Sequence, residues 1–475
     1  MSDERLEKCR YRKLCGGCQL QHLSYARQLE EKQKRMEKLL GQFHEVLPII
    51  GMEDPLHYRN KVNASFGYAE HRVICGNYVT STHEIVEVPG CMINDEKANE
   101  IIQTVKKLSV RLKISIFDED ALKGGLRHVM VRCSNLNEYM VVLVTGTETL
   151  YKGEQFVREL VKAHPEITTV VQNVNRRHTS MVLGNHNNVL YGKGYITDQL
   201  MGCHFRISAA SFYQINKRQT AVLYRTALNM AHFTGSETVI DAYCGTGTIG
   251  IIASREVRNV IGVEINEQAV RDAKRNAREN GVENISFYAD DAGSFMRRMA
   301  KEKKKTDAVI MDPPRSGADK KFLDALCILK PEKIVYISCG PDSLKQNLHY
   351  LIKNGYQVEF IQPVDMFPYT EHVETVVLLS KGNISSKKVH VDFSLKDIDL
   401  SGIKTGATYD EIKSYVKKNY DLTVSSLNIA QIKEKYGIKE RESYNHSKKQ
   451  EPKQPKCTEE KEEAILDALK YYNMV

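Results

Sequence analysis

The sequence predicts an α/β protein organised around an open, mostly parallel β-sheet, and three observations lead to this prediction. From residue 238 to residue 380, short apolar runs alternate with helix-like segments, as they do in sheets whose parallel strands are joined by crossover helices. A glycine-rich segment, DAYCGTGTIG at 241–250, joins the first run to an apolar stretch. Several later runs end in an acidic residue or a thiol, at the edge where such sheets bind their ligands.

Seven runs with strand composition follow one another in this region: TVIDAY, NVIGVEI, NISFYAD, DAVIMDPP, KIVYISCG, YQVEFIQPVDMF and VETVVLLS. Helix-like segments intervene, including 268–280 and 342–353, but the last two runs have no evident helix between them. Neighbouring strands joined without a crossover helix are antiparallel. The prediction is therefore a Rossmann-like sheet of seven strands with the last strand antiparallel, which is the class I methyltransferase arrangement.

The glycine-rich segment has the composition of a cofactor-binding turn. A strand that ends in a glycine turn and leads into a helix directs backbone N–H groups and the positive end of the helix dipole at a ligand. Glu264 ends the next apolar run, about one βα unit downstream, where a carboxylate can accept hydrogen bonds from ribose hydroxyls. This spacing fits S-adenosylmethionine better than a nicotinamide dinucleotide.

Length and composition indicate a soluble chain of several domains. At 475 residues, of which 41% are hydrophobic and 27% charged, the chain is long enough for roughly two to four domains with buried cores. The first residues, MSDERLEKCRYRK, lack the apolar core of a signal peptide, and no run is long enough for a transmembrane helix. We therefore expect a cytoplasmic protein with no membrane partner. Its net charge of +8 permits nucleic-acid binding without demonstrating it.

Eleven cysteines in a chain without an export signal argue for reduced thiols that serve as ligands or nucleophiles. The pattern C-x5-C-G-G-C contains Cys9, Cys15 and Cys18. A fourth thiol would complete a set of four metal ligands. The best candidate is Cys91 in the turn sequence VPGC, and Cys75 in a strand-like run is the second choice. Four cysteines hold zinc or an iron–sulfur cluster, and three close cysteines with one distant cysteine favour a [4Fe-4S] cluster. Ordinary buried thiols are the third alternative.

Changes in composition divide the first half of the chain into two predicted parts. Residues 1–55 hold the three close cysteines and a charged helix-like segment at 20–40, whose charge is most simply a solvated face. Residues 56–208 contain many short strand-like runs and predict a β-rich domain that contacts RNA. Its basic pairs, Arg59-Asn60-Lys61 and Arg127-His128, either face RNA or are ordinary surface charges.

The second half is also divided into two parts. Residues 209–382 hold the predicted sheet and form the S-adenosylmethionine-dependent domain. Residues 383–475 are lysine-rich, with helix-like patches at 409–419, 426–435 and 459–472. This appendix is either a small helical or winged-helix-like module that adds RNA contact or a partly ordered, solvated tail.

Three side chains at or near the ends of the later runs form a candidate catalytic set. Asp312 stands in the rigid turn DPPR, which can present its carboxylate to a planar heterocycle. Cys339 precedes a helix-like segment, whose dipole favours the thiolate and predicts a lowered pKa. Glu374 begins the final run and is a candidate general base. Together with a methyl donor, they suggest methylation of a carbon such as uracil C5, which becomes nucleophilic after a thiolate adds to C6.

With these residues in place, the chain resembles the RNA uracil-5-methyltransferase family. The motifs C-x5-C-G-G-C, FYQIN, DAYCGTGT, DPPRSG, SCGP and DMFPYTEHVE occur in the family order between residues 9 and 381. The resemblance implies that Cys339 is the nucleophile and Glu374 the general base. It also implies two cofactors, S-adenosylmethionine and a [4Fe-4S] cluster. By this resemblance, the residues that bind S-adenosylmethionine would be Gln214, Tyr243, Glu264 and Asp312, and Asp312 would also lie near the target base. The [4Fe-4S] cluster would be bound by Cys9, Cys15, Cys18 and Cys91.

The cysteine pattern favours the branch of this family that acts on ribosomal RNA. We therefore expect a monomeric, S-adenosylmethionine-dependent uridine C5 methyltransferase of 23S ribosomal RNA, acting on a base flipped out of its stack. Two alternatives stay open. One is a transfer-RNA uridine or cytosine C5 methyltransferase, and the other is a non-catalytic iron–sulfur protein that binds RNA.

Overall fold

A computed structural model describes residues 9–79, 82, 84–179, 181–381, 409–435 and 458–471. Contacts divide the chain into two compact units, Met1–Asp399 and Leu400–Val475. No helix among the described residues is both long and apolar enough to cross a membrane. The predicted domain boundaries at residues 55, 208 and 382 remain predictions.

The first helix, α1 (Tyr25–Leu40), begins later than the pattern at 20–40 predicts. The side chain of Ser24 caps it by accepting a backbone N–H of the first turn at 3.4 Å, and the residues before it form turns. Gln28 and Lys32 lie on its buried face, with Lys32 only 2% exposed. The prediction that the charge of this segment is solvated is therefore wrong for Lys32.

A seven-stranded sheet and two helices form the β-rich part of the first unit. The elements are β1 (Lys61–Ala69), β2 (Arg72–Tyr78), β3 (Ile85–Glu87), α2 (Glu96–Arg111), β4 (Leu126–Cys133), β5 (Tyr139–Thr145), α3 (Gly153–Ala163), β6 (Ile167–Val174) and β7 (His186–Gly192). The strands lie in the order β3-β2-β1-β4-β5-β6-β7, and every neighbouring pair is antiparallel except β5–β6. Both helices pack on the sheet through apolar side chains, including Ile101 and Phe156.

A hairpin and a buried helix connect this sheet to the second one. The hairpin pairs β8 (Tyr195–Leu200) with β9 (Cys203–Ser208), and it is followed by α4 (Lys217–Ala231). The side chain of Asn216 caps α4 by accepting the backbone N–H of Gln219 at 3.2 Å. Helix α4 packs on the last three strands of the second sheet. The residues that immediately precede α4 are thereby brought to the edge of that sheet.

The second sheet confirms the predicted architecture. Its elements are β10 (Thr238–Ala242), α5 (Thr248–Ala253), β11 (Asn259–Glu264), α6 (Glu267–Glu279), β12 (Ile285–Ala289), α7 (Ala292–Lys301), β13 (Ala308–Met311), α8 (Lys320–Leu329), β14 (Lys333–Ser338), α9 (Pro341–Lys353), β15 (Tyr356–Val364) and β16 (Glu374–Lys381). The strands lie in the order β12-β11-β10-β13-β14-β16-β15; the first five are parallel, and β16 is antiparallel to both of its neighbours. The core of the sheet includes the fully buried Ile240, Val309 and Tyr336.

The described part of the second unit is helical, as the sequence predicts. It consists of α10 (Tyr409–Tyr420), α11 (Ser426–Lys435) and α12 (Glu459–Tyr471). Apolar side chains from all three helices, among them Val416 and Ile465, form one buried cluster. This unit therefore has a core of its own, whereas its contact with RNA stays a prediction.

Candidate active site

Four predicted site residues meet at one edge of the second sheet. Strands β10, β13 and β14 are parallel, so the residues that immediately follow them, Tyr243, Asp312 and Cys339, lie at the same edge. Strand β16 runs in the opposite direction and begins at that edge with Glu374. The topology of the sheet thus brings together side chains that are spread over more than a hundred positions of the sequence.

The glycine-rich loop after β10 is held by the buried side chain of Asp241, which sequence reasoning did not single out as a site residue. Its Oδ2 accepts the backbone N–H of Gly250 at 2.8 Å, and a Cβ added at Gly250 would lie 2.7 Å from the same oxygen. Positive φ angles at Tyr243, Gly245 and Gly247, of 62°, 53° and 79°, give the loop its tight course. Burial raises the pKa of Asp241 to about 7. This carboxylate fixes the start of α5 against β10.

The carboxylate of Glu264 faces the same loop from the end of β11. Its Oε2 accepts the backbone N–H of Gly245 at 3.1 Å, and its Oε1 accepts that of Asn266 at 2.8 Å. A Cβ added at Gly245 would meet no atom within 4 Å, so open space adjoins the loop there. A carboxylate beside a glycine turn and an open space fits the ribose of an adenosine cofactor.

The thiol of Cys339 has a raised pKa, and the lowered pKa predicted from its place before α9 is wrong. Burial, followed by the charges of Glu374 and Asp312, raises the pKa to about 11, although Arg315 acts in the opposite direction. The desolvation and the two carboxylates outweigh the influences that lower the pKa, which are Arg315 and a backbone hydrogen bond. The thiol is therefore protonated at neutral pH and must lose its proton before it acts as a nucleophile.

Glu374 and Asp312 form a pair of carboxylates beside this thiol. The Glu374 side chain is buried, and its Oε2 has no hydrogen-bond partner among the described residues. Burial, and then the charge of Asp312, raises the pKa of Glu374 well above its ordinary value. Burial also raises the pKa of Asp312 to about 7. Because two adjacent carboxylates resist ionising together, the pair holds a proton near neutral pH and can exchange it with a substrate.

Sequence reasoning missed Tyr224, which lies among the predicted site residues. Its hydroxyl lies close to the side chain of Gln214, which is one of the predicted cofactor residues. Burial, followed by the charges of Asp312, Asp241 and Glu374, raises the pKa of Tyr224. The phenol is therefore neutral. The available signal was a tyrosine within an otherwise mostly apolar stretch of the helix predicted at 219–231.

The turns DPPR and SCGP are interlocked at Gly340. A Cβ added at Gly340 would clash with the carbonyl oxygen of Arg315, so glycine is required there. The hydroxyl of Ser343 donates to the same carbonyl at 2.9 Å. The guanidinium of Arg315 in turn contacts the ring of His372, two residues before Glu374. These contacts fix the three catalytic segments relative to one another.

A buried ion pair anchors the loop that leads from β15 to Glu374. Lys32 Nζ of α1 lies 2.7 Å from Asp365 Oδ1 and also donates to the carbonyl oxygen of Phe367 at 3.1 Å. The Tyr25 hydroxyl donates to Asp365 Oδ2 at 2.9 Å. The charge of Lys32 is buried because it is neutralised by this loop.

The structure brings Cys91, rather than Cys75, close to the N-terminal cysteines. Cys18 and Cys91 pack against the same small buried cluster, whereas Cys75 lies in the core of the first sheet. Burial raises the pKa of Cys18 to about 11, and the charges of Cys91 and Cys15 add to the shift. Cys9 is half-buried in the turn before Cys15. No group of three or more His, Cys, Asp or Glu in the described part of the chain is arranged to hold a metal ion, so the predicted cluster is not confirmed.

Arg127 and His128 do not form a basic pair on the surface, so both interpretations of these two residues are wrong. Arg127 is buried, and its Nε donates to Glu119 Oε1 at 2.7 Å. Its Nη1 donates to the carbonyl oxygen of Asn175 at 3.2 Å. His128 is also buried, and burial lowers its pKa to about 4, so it is neutral. These side chains stabilise the central domain instead.

The second sheet has seven strands with an antiparallel last strand, and a glycine turn at its edge faces a carboxylate. This combination defines a class I methyltransferase. The sequence model of the tRNA (Uracil-5-)-methyltransferase family matches residues 24–382. The chain belongs to this family, and the protein is an S-adenosylmethionine-dependent RNA methyltransferase of the uracil-5 type.

Individual relatives and a solved structure agree with this assignment. The chain is 42% identical over 389 residues to an uncharacterized RNA methyltransferase of Halalkalibacterium halodurans, which covers 80% of this chain and 85% of the relative. It is 42% identical over 371 residues to an uncharacterized RNA methyltransferase of Clostridium tetani, which covers 77% and 81%. The crystal structure of the Pyrococcus abyssi tRNA (uracil-54, C5)-methyltransferase with S-adenosyl-L-homocysteine matches with a TM-score of 0.64 and 29% identity, covering 77% of this chain and 86% of that one.

Proposed function

We propose that the protein methylates C5 of a uridine in 23S ribosomal RNA, with Cys339 as the nucleophile and Glu374 as the general base. One observation carries the proposal: Asp312, Cys339 and Glu374 lie at the same edge of the sheet, which also holds the cofactor loop. A thiol, a base and a methyl donor are what C5 methylation requires. The C-x5-C-G-G-C pattern, through its resemblance to the ribosomal branch, supports 23S RNA as the target.

The residues around the glycine loop would hold the cofactor. Glu264 would accept hydrogen bonds from the ribose hydroxyls, and the ring of Tyr243, whose centroid lies 5.0 Å from that of Phe322, would offer an apolar wall. Gln214 and Asp312 would contact the rest of the molecule. When bound, S-adenosylmethionine supplies an electrophilic methyl group to a carbon nucleophile.

The chemistry of the protein side chains begins with the thiol. Cys339 loses its proton to Asp312, which leaves Glu374 available as the later base, and the Sγ of Cys339 adds to uracil C6 while the electron pair of the C5–C6 double bond moves toward the C4 carbonyl. Once C5 carries its methyl group, Glu374 accepts the C5 proton, the C5–C6 double bond re-forms and the S–C6 bond breaks. The raised pKa of Glu374 suits this step, because it makes the carboxylate a stronger base.

Transfer RNA is a second candidate substrate, and one observation favours it. The solved relative at 29% identity is a tRNA (uracil-54, C5)-methyltransferase. The deciding experiment maps 5-methyluridine by mass spectrometry in ribosomal and transfer RNA from cells with and without the gene, and then restores it with purified protein. Loss and restoration in 23S RNA would support our proposal. Loss in transfer RNA would move the assignment there, and a lost 5-methylcytidine would identify the cytosine alternative.

The alternative of a non-catalytic RNA-binding protein is tested separately. We expect the purified protein to bind S-adenosylmethionine in calorimetric titration, because the loop between Asp241 and Gly250 is intact and open space adjoins Gly245. Absence of binding would favour the non-catalytic alternative. We further propose that the protein acts in the cytoplasm and that it is a monomer. Light scattering after size-exclusion chromatography measures the molar mass and so tests the monomeric state.

We propose in addition that Cys9, Cys15, Cys18 and Cys91 bind a [4Fe-4S] cluster. The spacing of the first three supports this, and so does the packing of Cys18 and Cys91 against the same small buried cluster. Protein purified without oxygen should be brown and contain iron and acid-labile sulfide in equal amounts. A colourless protein with about one equivalent of zinc would instead indicate a structural zinc site.

A further inference from the structure

The loop that leads into Glu374 carries a histidine that has no part in the proposed chemistry. The His372 ring is half-buried and packs edge-on against the ring of Phe367, with 6.2 Å between the centroids. The backbone N–H of His372 donates to the Thr370 hydroxyl at 3.3 Å, and this hydroxyl donates to the carbonyl oxygen of Phe367 at 2.8 Å. These contacts hold the imidazole in one place on the loop.

The Arg315 guanidinium contacts this imidazole through its Nη2 and the ring nitrogen Nδ1. An arginine side chain can only donate, so Nδ1 is the acceptor and the ring is the neutral tautomer with its proton on Nε2. Arg315 is exposed and forms no ion pair with a carboxylate in the described part of the chain. A long exposed side chain has many rotamers, so the contact with His372 decides where its positive charge lies.

The charges around His372 favour its neutral form. Burial, followed by the charge of Arg315, lowers the pKa of His372, and Lys32 and Arg35 of α1 act in the same direction. The carboxylate of Glu371 acts in the opposite direction. Burial and three cations together outweigh one carboxylate, so the imidazole is an acceptor at neutral pH.

The position of the Arg315 charge matters because it acts on both proposed catalytic groups. Burial, then Glu374 and Asp312, raise the pKa of Cys339, and Arg315 is the largest influence in the opposite direction. The same charge opposes the rise in the pKa of Glu374 that burial and Asp312 cause. The backbone of Arg315 is already fixed, since its carbonyl oxygen lies against Gly340. The side chain is therefore the part of Arg315 that still has to be placed.

We propose that His372 is a positioning residue, whose neutral ring accepts a hydrogen bond from Arg315 and so holds the guanidinium charge beside Cys339 and Glu374. The proposal rests on the proposed function in one respect, that Cys339 is the nucleophile. A guanidinium held in place stabilises the thiolate by direct attraction, whereas a freely rotating one is screened by water and salt. His372 thus acts through Arg315 rather than on the reacting atoms.

The test measures the rate of iodoacetamide alkylation of Cys339 in the full chain, between pH 7 and pH 9 and without RNA. His372→Phe keeps an aromatic ring against Phe367 but removes the acceptor. Alkylation at pH 8 should become about threefold slower, which corresponds to a rise of about half a unit in the pKa of the thiol. His372→Asn should restore the wild-type profile, because its Oδ1 lies close to the place of Nδ1 and can accept the same hydrogen bond.

Two further variants test whether His372 acts through Arg315. Arg315→Met should slow alkylation at least as much as His372→Phe, and the double variant should be no slower than Arg315→Met alone. The matched control is His349→Phe, at an exposed histidine of α9, whose alkylation rate should equal that of the wild-type protein. All proteins are compared at one temperature below their midpoints of unfolding, and His372→Ala replaces His372→Phe if the latter does not fold.

Four results would overturn the proposal: a wild-type rate in His372→Phe or in Arg315→Met, slowing in His372→Asn equal to that in His372→Phe, additive slowing in the double variant, or equal slowing in His349→Phe. Failure of the proposed function is distinguishable, because it would appear as absent methyl transfer in wild-type protein whose Cys339 alkylation still depends on His372.

Discussion

Thr375 pairs with Ser338 across the antiparallel strands β14 and β16, and this pairing sets Glu374 beside Cys339. If the last strand were parallel, its first residue would lie at the opposite edge of the sheet, away from the thiol. After burial, the charge of Glu374 is the largest cause of the raised pKa of Cys339. The reversed direction of one strand therefore creates the thiol and carboxylate pair on which the proposed chemistry depends.

Replacing the nucleophile tests the covalent step. Cys339→Ala should abolish transfer of labelled methyl groups to RNA, because no Sγ remains to add to C6, while its affinity for S-adenosylmethionine should stay at the wild-type value. Cys327→Ala, at another half-buried cysteine on α8, is the matched control and should keep full activity. Methyl transfer at the wild-type rate in Cys339→Ala would exclude this thiol as the nucleophile.

Replacing the base should stop the reaction at a later stage. Glu374→Gln leaves the thiol free to add to C6 but removes the acceptor for the C5 proton, so the protein should remain covalently joined to methylated RNA. The adduct is detected as a band of reduced mobility on a denaturing gel. Glu371→Gln, three residues earlier and exposed, should form no lasting adduct. Fast turnover of Glu374→Gln without an adduct would assign the role of base to another group.

Much of the catalytic sheet follows from its sequence, because both faces of the sheet are covered and its strands are continuous apolar runs. The absence of a helix between β15 and β16 was enough to predict the antiparallel last strand. Once the strand ends were known, Asp312, Cys339 and Glu374 had to lie at one edge, since residues after parallel strands share that edge. The site was therefore predictable to the extent that it depends on topology.

Features that depend on contacts between distant segments were not predictable. Asp365, the partner of Lys32, lies 333 positions away, so the sequence alone gave no reason to bury that lysine. The pKa of Cys339 depends on burial and on two carboxylates. The prediction from the helix dipole, a lowered pKa, therefore had the wrong direction. In the β-rich domain, the many strand-like runs led to a prediction without helix α2, although its buried Ile101 and Val105 have helical spacing.

The raised pKa of Cys339 predicts how its reactivity depends on pH. Since the pKa is raised to about 11, the thiolate fraction should increase about tenfold for each pH unit between pH 7 and pH 9. Asp312→Asn removes a negative charge and should lower this pKa, so the same thiolate fraction is reached at a lower pH. The measurement is the rate of iodoacetamide alkylation of the Cys339 peptide by mass spectrometry. A plateau already at pH 8 in wild-type protein would contradict the prediction.

The ion pair between Lys32 and Asp365 should contribute strongly to stability because it is fully buried. Lys32→Met leaves the Asp365 carboxylate buried without its counter-charge and should lower the free energy of unfolding by about 3–5 kcal/mol. The double variant Lys32→Met/Asp365→Leu should recover part of this loss, since it removes both charges. Lys34→Met, which breaks an exposed pair with Glu31, should cost less than about 1 kcal/mol. Urea unfolding of the four proteins measures these differences, and an unchanged free energy in Lys32→Met would mean that the pair does not anchor the loop that leads to Glu374.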